Sequence, residues 1–359
     1  MHLFDELKIR SVTLRNRIVV SPMCQYSSTD GFATDWHLVH LGSRAVGGAA
    51  AVIAEATAVT AEGRISPVDL GIWKDAHIEP LARIAAFIRS QGAASGMQLA
   101  HAGRKASVKR PWEGGGAMTD SEGGWTPVAP SAIPFEERYR KPAELDESGI
   151  RVIVEAFAAA AGRAKQAGFQ LVEIHAAHGY LIHEFLSPLS NQRTDAYGGS
   201  LENRTRFARE VVAAVRQVWP EELPLFVRIS ATDWVPGGWD PEQSVELAKQ
   251  LKQLGADLID CSSGGSSPAA KVPMGPGYQV PFAEKVRREA GVMTGAVGMI
   301  TDAKQADGII REGKADVVLL AREFLRQPYW PIHAATELGR EIAWPPQYLR
   351  AAPQGTPSR

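Results

Sequence analysis

Short apolar runs with strand character recur along the whole chain, and helical patterns lie between most of them. There are eight such runs, namely Ile18–Val20, Ala51–Ala54, Met97–Leu99, Leu171–Ile174, Leu225–Ile229, Leu258–Asp260, Val292–Thr294 and Val317–Leu320. Apolar residues at helical spacing separate them, as at Leu81, Ile84 and Ile88 after the second run. Eight strands that alternate with helices predict a single (β/α)8 TIM barrel of the α/β class and favour it over a doubly wound sheet.

Glycine and capping residues mark where the predicted helices begin and end. Gly168, Gly255 and Gly313 each stand shortly before one of the apolar runs. A glycine just past a helix, followed at once by a strand, is the expected α-to-β junction. Asp240-Pro241-Glu242-Gln243 combines an N-cap, a proline at the first helical position and a capping partner. These signals support the same alternation of strands and helices.

The chain reads as one domain that carries one long insertion. Residues 103–148, rich in glycine, proline and tryptophan, lie between the third strand and the helix before the fourth. Such a long segment predicts an inserted lid or subdomain over the barrel mouth. No linker divides residues 1–350, so we expect a single barrel there, and residues 351–359 are predicted to form a loose C-terminal tail.

Composition excludes several classes of protein. The formal net charge of the 359-residue chain is −1, which gives no reason to expect a nucleic acid or an anionic membrane surface as a partner. No apolar stretch reaches transmembrane length, and the first residues carry acids where a signal peptide would carry bases. Cys24 and Cys261 are too few for a disulfide scaffold or a four-cysteine cluster. A cytoplasmic protein is therefore expected.

Polar and small residues follow the strands at the end where TIM barrels build their active sites. The fourth run is followed by His175, His178 and Tyr180. Small residues after the seventh and eighth runs, with Arg322 beside them, resemble the phosphate site that barrels commonly form there. Few acids occupy these positions, which argues against a carboxylate-rich metal centre or a glycosidase pair. The donors suit a ligand with carbonyl groups and a phosphate.

Other interpretations of these residues remain open at this point. His175 and His178 have the spacing of a metal-binding pair, and His183 and Glu184 are possible further ligands. The spacing of His183 and Glu184 matches no metal motif, however, and no other third ligand is evident nearby, so no metal is expected. Glycine pairs also form ordinary turns, an arginine at a strand end also forms structural ion pairs, and a lone cysteine is often a small buried hydrophobe.

Several motifs, taken together and in order, resemble one known family. They are Leu14-Arg15-Asn16-Arg17, Ser21-Pro22-Met23-Cys24-Gln25-Tyr26, Glu55-Ala56-Thr57, Gln98-Leu99-Ala100-His101-Ala102-Gly103-Arg104-Lys105, His175-Ala176-Ala177-His178-Gly179-Tyr180, Ser190-Asn191-Gln192-Arg193-Thr194-Asp195-Ala196-Tyr197-Gly198-Gly199-Ser200, Gly295-Ala296-Val297-Gly298 and Ala321-Arg322-Glu323. The chain resembles the Old Yellow Enzyme family of FMN-dependent ene-reductases, and within it the short, bacterial thermophilic-like branch. The resemblance extends from about residue 3 to residue 350.

The resemblance implies a tightly bound FMN in the barrel mouth. Residues expected to contact the isoalloxazine ring are Ser21, Pro22, Met23, Cys24, Ala56 and Gln98. Residues expected to hold the N1 side of the flavin and its phosphate are Arg228, Gly298, Ala321 and Arg322. A cationic arginine near N1 would stabilise the anionic reduced flavin. Cys24 is expected to tune the redox potential near the flavin's reactive edge.

The resemblance also implies the reaction. NADPH or NADH would reduce FMN, which would then deliver hydride to the β-carbon of an α,β-unsaturated carbonyl compound or a similar activated alkene. His175 and His178 would donate hydrogen bonds to the carbonyl oxygen, and Tyr180 would protonate the α-carbon. Tyr26 would line the substrate pocket. In this branch an arginine matching Arg350 reaches a neighbouring subunit's active site, which implies a homo-oligomer, either a dimer or a tetramer.

Three rival functions were weighed against this interpretation. A dienoyl-CoA-type reductase shares the barrel but carries a cysteine cluster and further C-terminal domains, which this sequence lacks. A metal-dependent barrel hydrolase would use His175 and His178 as ligands. A non-catalytic ligand-binding barrel would have no need for a phenol and paired imidazoles at one strand end. Metal analysis would test the second rival, and turnover would exclude the third.

Overall fold

The computed structural model describes residues 1–358 and contains a closed barrel of eight strands. Each neighbouring pair of barrel strands is parallel. The barrel strands are β3 (Ile18–Val20), β4 (Ala51–Ala58), β5 (Ala94–Ala100), β8 (Leu171–Ala176), β9 (Leu225–Ser230), β10 (Leu258–Ser262), β11 (Met293–Ala296) and β12 (Val317–Leu320). The predicted (β/α)8 architecture is confirmed. Seven of the predicted runs lie within a barrel strand, and the seventh in order, Val292–Thr294, begins one residue before β11.

Helices surround the barrel, and four of them begin at an N-cap residue whose side chain accepts a backbone N–H. They are α1 (Asp35–Val46), α2 (Ile78–Ser90), α3 (Glu147–Gln166), α4 (Leu181–Leu186), α5 (Leu201–Val218), α6 (Pro241–Gln253), α7 (Val280–Ala290), α8 (Ala303–Arg311), α9 (Arg322–Arg326) and α10 (Trp330–Glu337). The carboxylate of Asp240 accepts the backbone N–H of Gln243 at 2.8 Å, as its sequence predicts. Among residues 1–358, no helix combines the length and the apolar character needed to cross a membrane.

The strands separate two hydrophobic layers because successive side chains point to opposite faces. One layer fills the space between the barrel and its helices and contains residues such as Val20, Val52 and Val172. The other faces the barrel interior, and most of its residues lie towards the N-terminal ends of the strands. It consists of Ile9, Val12, Leu14, Val19, Ala50, Ala51, Ile53, Ala94, Leu171, Phe226, Leu258, Val297, Val317 and Leu319.

An antiparallel hairpin of β1 (Leu7–Ile9) and β2 (Val12–Leu14) supplies part of this inner layer. Its residues Ile9, Val12 and Leu14 pack with barrel residues such as Phe226 and therefore close the N-terminal end of the barrel. The sequence analysis did not predict this hairpin. Each strand has only three residues, which is too short a run for alternation to be distinctive.

The insertion after β5 has little regular structure. It contains three 3-10 turns, Gly103–Lys105, Pro111–Glu113 and Asp120–Glu122, and a parallel pair of two-residue strands, β6 (Val128–Ala129) and β7 (Ala143–Glu144). Trp125 fastens it to the loop after β4, because the indole N–H donates to the carbonyl of Glu62 at 2.8 Å. The Arg64 guanidinium lies 5.1 Å from the Trp125 ring and 5.2 Å from the Trp73 ring.

The C-terminal segment turns back onto the chain. A 3-10 helix, Pro346–Ala351, is followed by residues that return to Trp344, whose backbone N–H donates to the carbonyl of Pro357 at 2.9 Å. The predicted loose tail therefore makes at least this backbone contact in its described part. Arg359 lies outside the described residues.

Candidate active site

Strand register brings the predicted polar residues together at the C-terminal end of the barrel. His175 on β8 is the partner of Arg228 on β9, and Arg228 is the partner of Asp260 on β10. Gln98 on β5 is the partner of Glu173 on β8. Residues that are far apart in sequence thus meet at one rim, which is the expected position of a barrel active site.

The two histidines and Tyr180 form a compact cluster after β8. The His175 ring centroid lies 5.0 Å from that of His178 and 5.1 Å from that of Tyr180, with both pairs nearly perpendicular. His178 has a φ of 61° and Gly179 a φ of 72°, so the chain turns sharply between them. A side chain at Gly179 would place its Cβ 2.1 Å from the carbonyl oxygen of Gly265, so glycine is required there.

Both imidazoles are neutral at ordinary pH. Burial, with the nearby charge of Arg228, holds the pKa of His175 and of His178 well below the usual value. Nε2 of His178 lies 2.7 Å from the hydroxyl oxygen of Ser262. Nδ1 of His175 is buried and has no hydrogen-bond partner in residues 1–358. Each neutral ring carries one N–H donor, so the pair can bind an oxygen without bringing a positive charge.

Tyr180 retains its phenolic proton. Removal from water, with Cys24 and Tyr26 close by, raises the pKa of Tyr180 well above its ordinary value. The ammonium nitrogen of Lys105 lies 5.4 Å from the centre of the Tyr180 ring and donates to the carbonyl of His178 at 2.9 Å. Burial lowers the pKa of Lys105 to about 8. A protonated phenol beside a cation is a competent proton donor.

Cys24 is a neutral thiol in this structure. Desolvation and the carboxylates of Glu55 and Asp69 raise the pKa of Cys24 well above its ordinary value. The thiolate is the nucleophilic form of cysteine, and this environment disfavours it. Cys24 therefore fits the predicted tuning role better than a nucleophilic one.

Two buried acids lie among these residues, and the sequence analysis did not single them out. Nε of Arg228 is 3.1 Å from a carboxylate oxygen of Asp260, and its Nη1 donates to the Ser21 hydroxyl at 2.9 Å. The Gln98 amide donates to Glu173 at 2.8 Å. Burial raises the pKa of Glu173 to about 8 and that of Asp260 to about 6. Burial therefore favours the protonated form of Glu173, while the charge of Arg228 favours the ionised form of Asp260.

These acids were detectable in principle. Glu173 interrupts the apolar run Leu171–Ile174, and Asp260 ends the run Leu258–Asp260. An ionisable residue inside a strand that is otherwise apolar on both faces is the signal, because burial of an acid requires a partner.

A cavity at the ends of β11 and β12 has the character of a phosphate site. Its walls include Gly298, Ala321 and Arg322, which were predicted to hold a phosphate, together with Gln279 and Arg326. Gly298 has a φ of 121°, and a Cβ there would lie 2.8 Å from the Gln279 amide nitrogen. Glycine therefore keeps the backbone accessible at this point, and the two arginines supply positive charge.

A second cavity, of about 390 Å³, lies beneath the insertion. Tyr26, Tyr139 and Tyr180 contribute aromatic walls, and Lys105 and Lys109 contribute cations. Its volume is in the range of sites for small organic ligands. The insertion thus forms part of the wall of this cavity, as its predicted place over the mouth requires.

Three residues considered in the sequence analysis lie apart from the two cavities. Arg350 is exposed on the C-terminal 3-10 helix, and its side chain makes no hydrogen bond or ion pair with the described residues of its own chain. His183 binds the backbone of Gly179, and Glu184 accepts the backbone N–H of Arg104. Within residues 1–358, no three His, Cys, Asp or Glu side chains are grouped so that they could hold a metal ion.

The donors and cavities fit a flavin mononucleotide. A cationic cavity for a phosphate adjoins a rim that carries Ser21, Gln98 and Arg228, which can hydrogen-bond to a ring with carbonyl groups. An aromatic cavity beside the paired histidines can receive a second, smaller molecule. The arrangement fits a barrel enzyme with one site for a phosphorylated cofactor and another for a second organic molecule.

Comparison with known proteins gives the same class. Residues 2–341 match the NADH:flavin oxidoreductase / NADH oxidase family. An NADPH dehydrogenase of Geobacillus sp. (strain WCH70) is 53% identical over 350 residues, which cover 97% of this chain and 98% of the relative. Among solved structures, morphinone reductase matches with a TM-score of 0.79 and 29% identity. The match covers 95% of this chain and 90% of the morphinone reductase chain. An old yellow enzyme homologue from Zymomonas mobilis has a TM-score of 0.78 and 26% identity, covering 97% and 98%.

The chain therefore belongs to the NADH:flavin oxidoreductase / NADH oxidase family, in the Old Yellow Enzyme group. Its cofactor is FMN, and its reductant is NAD(P)H. These findings confirm the predicted family, cofactor and enzyme class.

Proposed function

We propose that this enzyme is an ene-reductase, which reduces the carbon–carbon double bond of an α,β-unsaturated carbonyl compound or a similar activated alkene. The observation that carries the proposal is the cluster after β8. The His175 ring centre lies 5.0 Å from that of His178 and 5.1 Å from that of Tyr180. Two neutral imidazoles are thus grouped with a protonated phenol. Hydrogen-bond donors beside a proton donor are what reduction of an enone requires.

The cofactor would be held at the two places that the strand ends provide. Ser21, Pro22, Met23, Cys24, Ala56 and Gln98 would contact the flavin ring. Arg228 would face the side of the ring that becomes negative on reduction, and Gly298, Ala321 and Arg322 would hold the phosphate. When bound, FMN supplies hydride transfer from NAD(P)H to the alkene.

The histidine pair would bind and polarise the substrate carbonyl. Donation by the Ser262 hydroxyl to Nε2 of His178 would leave the ring proton on Nδ1, where it could bind an oxygen. As the enone takes up hydride at its β-carbon, negative charge grows on the carbonyl oxygen. Neutral donors bind that oxygen more strongly in the transition state than in the ground state, so they lower the barrier.

Tyr180 would complete the reaction by giving its proton to the α-carbon. Its raised pKa keeps it protonated until the substrate has become basic. Lys105, which is close to the ring, would stabilise the tyrosinate that forms until solvent returns the proton. Tyr26, on the wall of the same cavity, would orient the substrate.

Arg350 would act in an assembly. It is exposed and has no partner among the described residues of its own chain, so it is available to a neighbouring molecule. A symmetric dimer or tetramer would carry Arg350 of one subunit to the substrate cavity of the next. Loss of activity on dilution, matched by loss in Arg350→Ala, would support this role, whereas full activity of the variant would contradict it.

An anaerobic spectroscopic titration tests the proposed function directly. Purified holoenzyme is reduced with NADPH and then mixed with 2-cyclohexenone. We expect the flavin absorbance to bleach with NADPH and to return with the enone, with cyclohexanone as the product. A flavin that is reduced by NADPH but is not reoxidised by any activated alkene would show that the enzyme is an NADPH dehydrogenase with a different acceptor.

A further inference from the structure

A buried pair, His183 and Asp233, lies behind the histidine–tyrosine cluster and has no part in the proposed chemistry. Both side chains are 0% exposed. His183 is on α4, and Asp233 is in the segment that follows β9. Because burying an ionisable pair is costly, the pair calls for a structural or functional reason.

The hydrogen bonds fix the ionisation state of both residues. Nδ1 of His183 accepts the backbone N–H of Gly179 at 2.9 Å, so it carries no proton, and the ring is the neutral Nε2–H tautomer. That Nε2 lies 3.0 Å from one oxygen of Asp233, an ion-pair contact whose angles fall outside hydrogen-bond geometry, and neither atom has a hydrogen-bond partner in residues 1–358. The other oxygen of Asp233 accepts the Ser187 hydroxyl at 2.6 Å and the Trp239 backbone N–H at 2.7 Å. A group that accepts from several donors is the ionised carboxylate.

The contacts from Asp233 through His183 lead to the turn at Gly179, which carries the reactive groups of His178 and Tyr180. Gly179 stands between His178 and Tyr180, and His178 has the left-handed φ of 61° that side chains seldom adopt. Side chains from other elements also hold the turn: the Ser230 hydroxyl accepts the His178 N–H at 2.9 Å, and Lys105 donates to the His178 carbonyl. The turn persists because each of these bonds opposes its relaxation.

We infer that Asp233 and His183 form a positioning relay, which fixes the Gly179 amide and through it the orientation of His178 and Tyr180. The Asp233 carboxylate orients the His183 imidazole and fixes its tautomer. The unprotonated Nδ1 of His183 then accepts the backbone N–H of Gly179. The inference rests on the proposed function, since it concerns the same cluster. Neither residue lines the cavity proposed for the substrate, so both are positioning residues.

The relay predicts an unusual result for an isosteric change. In Asp233→Asn, the amide oxygen would remain with Ser187 and Trp239, and the amide N–H2 would face Nε2 of His183. The imidazole would then place its proton on Nδ1, directly opposite the N–H of Gly179. Two donors would meet at 2.9 Å, and the turn would have to move.

A second substitution should reverse that damage. The side-chain oxygen of asparagine occupies the place of histidine Nδ1, so His183→Asn would still accept the Gly179 N–H without depending on residue 233. The double variant Asp233→Asn/His183→Asn should therefore recover what Asp233→Asn loses. His183→Leu, which has no acceptor, should resemble Asp233→Asn.

The test uses FMN holoenzymes, with phenol as a probe of the histidine pair. Phenol binding is followed by the long-wavelength absorbance of its complex with the oxidised flavin, and 2-cyclohexenone reduction is followed in a single turnover. We expect Asp233→Asn and His183→Leu to weaken phenol binding and slow enone reduction by about tenfold or more, as an unsatisfied buried donor implies. His183→Asn and the double variant should remain within about threefold of the wild type. His77→Asn, which removes another buried histidine that bonds a backbone carbonyl, controls for lost stability.

The outcomes separate the two proposals. If wild-type enzyme neither binds phenol nor reduces the enone, the proposed function fails, whatever the variants do. If the wild type does both and Asp233→Asn matches it, the relay is wrong. It is also wrong if the double variant is no better than Asp233→Asn, because the pair would then contribute packing alone.

Discussion

The two ends of the barrel interior are formed by the same strands and hold opposite kinds of side chain. Towards the N-terminal end, Leu171, Phe226 and Leu258 point inward and pack against the hairpin. Two residues further along the same strands come Glu173, Arg228 and Asp260, all of them buried. Because side chains alternate with a period of two, these sets share a face and are separated by about 7 Å. The N-terminal end, here called the base, therefore contributes mainly to stability, and the C-terminal end, the mouth, carries the groups available for chemistry.

Burial alone does not identify a hydrophobic core position in this barrel. Residues at both ends are less than 10% exposed, yet one set is satisfied by dispersion contacts and the other by charge and hydrogen bonds. A substitution at the base should change the free energy of unfolding and leave the reaction rate unchanged. A substitution in the cluster of His175, His178 and Tyr180 at the mouth should change the rate at nearly constant stability.

Tyr180→Phe should give the largest change in rate and the clearest difference between the two half-reactions. Removing the proton donor should slow the reduction of 2-cyclohexenone by about 10²–10⁴-fold, the usual contribution of general acid catalysis. Reduction of the flavin by NADPH should change little, because it needs no proton from this residue. Rapid-mixing measurements of the two half-reactions check this prediction, and equal losses in both would count against the role of Tyr180.

Phe226→Ala makes the opposite change at the base. The side chain is 1% exposed in the inner layer, and its removal should destabilise the protein by about 3–5 kcal/mol through lost contacts and a cavity. Thermal or denaturant unfolding measures the loss. The rate constants of the surviving folded enzyme should match the wild type, and a large drop in them would break the proposed separation of the two ends.

His175→Ala tests the mouth through binding. Loss of one donor to a phenolate oxygen should weaken phenol binding by roughly 10–100-fold, since hydrogen bonds to charged groups are worth about 1.5–3 kcal/mol. A spectroscopic titration of the oxidised holoenzyme gives the affinity. Unchanged affinity would remove His175 from the site where the substrate oxygen binds.

Glu173 adds a pH dependence that the base cannot have. Its pKa in the folded protein is raised to about 8 from an ordinary 4.5, so the folded state holds the proton more tightly than the unfolded state does. Stability from this group is therefore fully present below about pH 4.5 and is lost progressively as the pH rises to about 8. Glu173→Gln should flatten the decline in unfolding free energy between those values, whereas Phe226→Ala should keep it.

Asp240→Ala should have the smallest effect. The residue caps α6 and accepts from Gln243 through both carboxylate oxygens. Its loss should cost about 1 kcal/mol of stability. Kinetic constants should be unaffected although α6 begins near the mouth, and a change in the rate of enone reduction would show that the cap also positions the site.

Much of the fold was predictable because its signals are local. The eight apolar runs, the glycines after helices and the cap at Asp240 are each read within a few residues. The hairpin at residues 7–14 was missed because its two strands are too short to be distinctive. Its function, closing the barrel base, depends on contacts with residues far along the chain such as Phe226.

The candidate site divides in the same way. Local strand and turn patterns are enough to place His175, His178 and Tyr180 at a strand end. The partners of the site residues could not be inferred in this way. Arg228 donates to Ser21 across 207 residues of sequence, and His183, a possible metal ligand by sequence, accepts the Gly179 N–H instead. Such pairings arise when the barrel closes, and closure is a property of all eight strands that no local pattern contains.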